Sequence, residues 1–112
     1  MSLIKAIIID DEPLAREGLK GYIEKTEGIQ CSMEFPNAMK GKDYLENEKY
    51  DVLFLDINMP GISGIDFIRN YSINHPVVFV TAYREFALES YELNAFDYLL
   101  KPLTYSRFLK CF

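Results

Sequence analysis

Asp51-Val52-Leu53-Phe54-Leu55-Asp56-Ile57-Asn58-Met59-Pro60-Gly61 runs from an unbroken apolar stretch into a turn, with a carboxylate at the junction. An apolar run of this length with no polar alternation suits a parallel strand covered on both faces. Nearer the start of the chain, Ile4-Lys5-Ala6-Ile7-Ile8-Ile9 ends in the same way, in Asp10-Asp11-Glu12. If the two strands are neighbours in a parallel sheet, three or four acidic groups converge at one edge. Like charges held that close disfavour folding unless a cation or a shared proton offsets them. The pattern predicts a hard divalent cation beside a reactive Asp.

Working outward, three more strand-like runs complete the series: Ile29–Phe35, Val77–Thr81 and Phe96–Leu100. The run Ile29–Phe35 alternates apolar Ile29, Cys31, Met33 and Phe35 with polar Gln30, Ser32 and Glu34, which predicts an edge strand. Helical patterns lie between the runs. Pro13 suits the first turn of a helix whose face carries the rows Leu14/Gly18/Tyr22 and Ala15/Leu19/Ile23. Residues 37–47 predict a weaker helix with Met39 and Tyr44-Leu45 as apolar points. Residues 63–71 predict a short one with Ile65, Phe67 and Ile68 inward. Residues 83–93 offer Phe86, Ala87 and Tyr91, with Asn94 as a left-handed stop. Residues 104–112 carry Tyr105, Phe108, Leu109 and Phe112 at helical spacing.

Strand and helix alternate throughout, which predicts a parallel α/β sheet with right-handed crossovers. Ligands of such sheets bind at the carboxyl ends of the strands. Asp10 and Asp11, Asp56, Thr81 and Lys101 all fall at strand ends, so one sheet edge collects them. The edge strand delivers no such group.

Length and composition bound the function. A chain of 112 residues with 49% apolar and 26% charged residues predicts one domain with a single core. A net charge of −5 argues against a nucleic-acid surface on this piece. Cys31 and Cys111 do not make a disulfide framework and predict reduced thiols. Met1-Ser2-Leu3-Ile4-Lys5 lacks the layout of a signal peptide, and no apolar stretch reaches the roughly 20 residues of a membrane span. The expected location is cytoplasmic, without a membrane.

The residue types collected at the edge predict phosphoryl chemistry. Mg²⁺ takes oxygen ligands in octahedral geometry and keeps several waters. Asp11 and Asp56 can each give a carboxylate oxygen, and the Asn58 carbonyl a third. Lys101 can neutralise a phosphoryl oxygen and Thr81 can donate a hydroxyl hydrogen bond to another. An Asp carboxylate can act as nucleophile and form an aspartyl phosphate. Asp56 is the best candidate because its strand lies between those of the other groups.

Asp10-Asp11, Asp56 followed by Met59-Pro60-Gly61, Thr81-Ala82 and Lys101-Pro102 together resemble the receiver domain of two-component response regulators, over essentially all 112 residues. The stretch from Thr81 to Pro102 is similar, more narrowly, to receivers attached to LytTR-type DNA-binding domains. The resemblance implies a flavodoxin-like (βα)5 doubly wound sheet in the order 2-1-3-4-5. It implies that Asp56 becomes 4-aspartylphosphate by transfer from a sensor histidine kinase, and that Asp11, Asp56 and the Asn58 carbonyl hold Mg²⁺ with Asp10 acting mainly through water. Thr81 and Lys101 would contact the phosphoryl oxygens. Tyr98 would swing inward as Thr81 moves, and the Lys101–Pro102 bond would be cis. Asn58 and Tyr83 would tune dephosphorylation. DNA would be reached only through a C-terminal output domain that this chain does not contain.

Taken singly, each residue has a plainer account. Asp10-Asp11-Glu12 can be acids at a helix N-terminus, Asp56 a turn former, Thr81 a cap, Lys101 a solvated lysine and Tyr98 core. Their joint placement at one edge argues against those accounts. His75, between Asn74 and Pro76, reads as a loop residue. The aromatics crowd the last third of the chain, and core packing is the better account of Phe86, Phe96 and Phe108. Others can line a surface for a phosphorylation-dependent homodimer. Three other functions compete: a Mg²⁺-dependent phosphohydrolase, a flavodoxin-like electron carrier, and a stand-alone receiver acting by protein contact. The hydrolase would place an acid at position 58, where Asn stands. The electron carrier would need a phosphate-cradling loop where Asp10-Asp11-Glu12 stands. The expected protein is therefore a switch that turns over no external substrate.

Overall fold

The computed structural model describes residues 3–112. The elements run β1 (Ile4–Ile9), α1 (Pro13–Glu24), β2 (Ile29–Phe35), α2 (Ala38–Asn47), β3 (Val52–Asp56), α3 (Gly64–Asn70), β4 (Val77–Thr81), α4 (Ala87–Glu92), β5 (Asp97–Leu100) and α5 (Tyr105–Leu109). All five strands are parallel, in the order β2-β1-β3-β4-β5. This is the doubly wound flavodoxin-like sheet expected from the sequence. Strand order reverses between β1 and β3, because the chain leaves β1 toward β2 and returns to build β3 on the other side. A crevice opens at such a reversal, at the carboxyl ends of the strands.

The central strands are buried on both faces, which is why their sequences do not alternate. On one face Ala6, Ile8, Phe54, Val78, Val80 and Leu99 pack with Leu19 and Ile23 of α1 and Phe108 of α5. On the other, Ile7, Ile9, Leu53, Leu55 and Phe79 pack with Ala38 and Leu45 of α2 and Ile65 and Phe67 of α3. Helix starts follow local chemistry. The side chains of Asn37, Ser63 and Thr104 accept from the N–H groups of Lys40, Asp66 and Arg107, capping α2, α3 and α5.

The structure corrects the sequence reading in several places. The strict alternation expected along β2 breaks at Ser32. Ala6 pairs with Cys31 and Ile7 with Met33, so Ser32 is the extra residue of a β-bulge. The bulge reverses which face each later side chain meets. Ile29 and Cys31 join the α1 side, whereas Phe35 joins the α2 side. Met33 is left exposed, and Glu34 turns to pair with Arg16 and Lys20 of α1.

In α1 Leu19 and Ile23 are buried and Tyr22 of the other row packs against the core, while Leu14 is 80% exposed. Met39 of α2 also points to solvent, and Ala38, Gly41 and Leu45 form the buried face instead. The fourth helix starts at Ala87, four residues later than expected. Its would-be first residue, Tyr83, spends its N–H on the Thr81 hydroxyl and its carbonyl on the Tyr98 hydroxyl. Phe96, expected in the core, is exposed, as is Tyr91 of the helical pattern, and β5 begins at Asp97. The last helix is tightened after Leu109 by i→i+3 bonds, Lys110 N–H to Arg107 and Cys111 N–H to Phe108. Asn94 is left-handed at φ 61 and the Lys101–Pro102 bond is cis, as expected.

Candidate functional site

Parallel register brings the strand ends level. Ile9 pairs with Leu55, Asp56 with Val80, and Thr81 with Leu100. Asp10 and Lys101 each lie one residue past their strands, so Asp10, Asp56, Thr81 and Lys101 meet at one edge. Asp11, Glu12, Asp56, Asn58, Thr81, Ala82, Tyr83 and Lys101 line a cleft of about 190 Å³ there. Of the residues expected at the site, Asp11, Asp56, Asn58, Thr81 and Lys101 line this cleft, Asp10 reaches it through Lys101, and Tyr98 and Pro102 lie outside its lining.

Its charges are crowded. Carboxylate oxygens of Asp10, Asp11, Glu12 and Asp56 lie within 4.8 Å of one another. Among the described residues, the cation that reaches them is Lys101. Its ammonium lies 2.9 Å from Asp10 Oδ2, 3.1 Å from Glu12 Oε1 and 3.6 Å from Asp56 Oδ2. Burial of Asp56 pushes its carboxyl from 3.8 up to about 7; the Asp10 charge adds to this, Lys101 opposes it, and Asp11 raises it further. Burial alone would lower Lys101, but the hydrogen bond and charge of Asp10, with Asp56 and Glu12, hold it above its ordinary value. Four carboxylates share the single Lys101 ammonium among the described residues, so burial and like charge outweigh the counter-charge at Asp56.

Two residues that sequence reasoning passed over hold the edge in shape. Arg16, one turn into α1, donates to the Asp10 carbonyl oxygen at 2.5 Å and to Glu34 Oε1 at 3.0 Å. Gly64 begins α3 beneath Asp56, and a Cβ there would drive into the Asp56 carbonyl oxygen. The conformation of the loop between β3 and α3 is set by that close approach, with the Gly64 N–H donating to Ile57 at 2.8 Å. Nothing in the local sequence marks Arg16, because its side-chain partner Glu34 lies on β2. Gly64 was legible only as a small residue inside a helical pattern.

Thr81 and Tyr98 meet through a third residue. The fully buried Thr81 accepts from the Tyr83 N–H at 3.3 Å, and Tyr98 donates its hydroxyl hydrogen to the Tyr83 carbonyl. Tyr98 is half-buried against the core on the side covered by α2 and α3.

A doubly wound parallel sheet with an acid cluster and a lysine at its carboxyl edge defines a class of small α/β domain. The sequence model described as response regulator receiver domain matches residues 6–112. The chain belongs to that family. It is 43% identical over 110 residues to the transcriptional regulatory protein BtsR of Escherichia coli, covering 96% of this chain and 46% of that protein. The chain thus spans about half the length of the curated relatives it matches. The response regulatory domain of protein mrkE from Klebsiella pneumoniae superposes with a TM-score of 0.87 at 35% identity, over 96% of this chain and 91% of that one. A CheY-like receiver from Methanospirillum hungatei, 24% identical, shares the fold with a TM-score of 0.82, over 97% of this chain and 90% of that one. Among the described residues no helix is long and apolar enough to cross a membrane.

Proposed function

We propose that this domain is a Mg²⁺-dependent phosphoryl-accepting switch in which Asp56 is the residue modified. The observation that carries this is the raised Asp56 carboxyl at the centre of four carboxylates, facing Lys101 across an open cleft. In the transfer, an Asp56 oxygen forms the new P–O bond as the P–N bond of a phosphohistidine on a sensor kinase breaks. The freed imidazole leaves with the electron pair.

The donor set suits Mg²⁺, since every side-chain ligand offered is oxygen. Asp11 and Asp56, with the Asn58 carbonyl, would hold the ion. Asp10 would act through water, because its two oxygens already serve Lys101 and the Glu12 N–H. The ion supplies charge neutralisation for the incoming phosphoryl group. Thr81 and Lys101 take the remaining phosphoryl oxygens. Once Thr81 turns toward the phosphate, Tyr83 carries that movement to Tyr98, because both bonds run through its backbone.

The switched element is an attached output domain, which we place in the LytTR class that binds DNA and regulates transcription. Support comes from the Thr81–Pro102 stretch and from a relative of about twice this length named as a transcriptional regulator. The domain acts in the cytoplasm, where a sensor kinase can reach it. Exposed Leu88, Tyr91 and Phe96 suit a second copy of the domain docking by α4 and β5 after phosphorylation.

Intact mass after exposure to acetyl phosphate with Mg²⁺ tests the reading. One added phosphoryl group, lost in Asp56→Asn, is expected. No adduct, with turnover of phosphate esters instead, would replace the switch by the hydrolase.

A further inference from the structure

Glu12 stands at the cleft in a role that the assignment above does not use. It is the residue before α1, at φ −95 and ψ 115, and its side chain does not cap its own helix. Its N–H donates to Asp10 Oδ1 at 2.9 Å, which ties the start of α1 to the end of β1. Its carboxylate instead accepts from Lys101 Nζ at 3.1 Å. An ammonium has three donors, and three carboxylates compete for them. The contact to Asp56 is the longest at 3.6 Å, so Lys101 leans toward the α1 side.

The geometry points to Glu12 as a positioning residue that competes with the aspartyl phosphate for Lys101 and thereby limits how much phosphoryl group the site retains. This rests on the phosphoacceptor reading of Asp56. A phosphoryl group brings about −1.5 to −2 charges and three acceptor oxygens. To meet it, Lys101 must be drawn from the Glu12 side toward Asp56. Asp10 cannot release Lys101 as readily, because its side chain is 7% exposed and held by the Glu12 N–H. The Glu12 side chain is 66% exposed and can swing into water. That exposure also limits its strength, so Glu12 tunes the site and does not lock it. Its charge opposes the arriving anion as well.

The test compares the wild-type domain with Glu12→Gln at saturating Mg²⁺ and fixed acetyl phosphate. Transfer breaks the bond from phosphorus to the acetyl oxygen, forms the Asp56 O–P bond and releases acetate. We expect a ratio of phosphorylated to free protein about two- to five-fold higher in Glu12→Gln at low salt. The gain shrinks in roughly half-molar salt, which screens an exposed pair and would leave a merely structural effect in place. A second readout is the Lys101 ammonium resonance in the metal-free protein, which should shift in Glu12→Gln. An equal or lower ratio in Glu12→Gln, a salt-independent gain, or an unshifted Lys101 signal overturns the proposal while wild type still forms the adduct. If wild type forms no adduct, the phosphoacceptor reading itself fails and this inference falls with it.

Discussion

Replacing Asp56 with Asn removes one charge from the cluster and leaves the side-chain volume unchanged. In the folded protein the Asp56 carboxyl is raised from 3.8 to about 7. Above pH 7 the folded state must hold it ionised, at a cost that the unfolded chain does not carry. A decade of pKa is worth about 1.4 kcal/mol, so the ceiling on that cost is about 4 kcal/mol. The cleft is open to water and its acids are strongly coupled, which brings the expected value nearer 2 kcal/mol. The sign follows from the direction of the shift. With the folded value above the unfolded one, the stability associated with Asp56 is fully present below pH 3.8 and is lost as pH rises through about 7. Urea unfolding in EDTA at a series of pH values measures this. Asp56→Asn should be the more stable protein at pH 8, with a midpoint higher by roughly 1 M for a urea slope near 2 kcal/mol/M. The gain should fade between pH 7 and pH 4. Added Mg²⁺ should then raise the wild type more than the variant, by mass action. An Asp56→Asn protein no more stable than wild type at pH 8, or more stable by the same amount at every pH, would refute the reasoning.

Gly64→Ala should destabilise by about 1–3 kcal/mol, because the methyl meets the Asp56 backbone; urea unfolding reads the loss, and a falling acetyl phosphate adduct reads the displaced nucleophile. Arg107→Ala removes the bidentate partner of Asp97, at 2.7 and 3.2 Å. Burial pushes Asp97 up, but hydrogen bonds from Arg107, the Tyr98 N–H and Cys111 outweigh it and leave its carboxyl low. That pair therefore stabilises above the ordinary carboxylate range and is lost as pH falls through the depressed value. With solvent screening, Arg107→Ala should cost about 1 kcal/mol near pH 7 and less in acid, by urea unfolding at the two pH values. Tyr83 lines the cleft and is exposed, so Tyr83→Ala should shorten the aspartyl-phosphate lifetime measured by decay of the mass adduct; an unchanged lifetime would remove its shielding role.

The sequence by itself determined the sheet and the edge on which the candidate site lies. Unbroken apolar runs such as Val52–Asp56 say that both faces are covered, and the placement of Asp10, Asp56, Thr81 and Lys101 just at their ends says where polar groups collect. Both signals are local and strong. The strands Ile4–Ile9, Val52–Asp56 and Val77–Thr81 have the bounds read from the sequence for that reason, and Ile29–Phe35, marked by alternation instead, has them too. Strand order was inferred by likeness, since crossover topology is set by packing between distant segments.

Only the tertiary structure decided the rest. The bulge at Ser32 depends on the pairing of β2 with β1, and it alone turns Glu34 toward Arg16 and Lys20. Helical spacing made Leu14 and Tyr91 equal candidates for burial, but which side of a helix meets the sheet depends on the strands beneath it. Tyr83 reads as a helix start until its two backbone groups are claimed by Thr81 and Tyr98, one of them fifteen residues away. Glu12 sits in plain view in the acidic triplet, yet its partner Lys101 is 89 residues distant. Charge pairing across that separation is a property of the folded edge, where burial of Asp10 and Asp56 leaves Lys101 to be shared among three carboxylates.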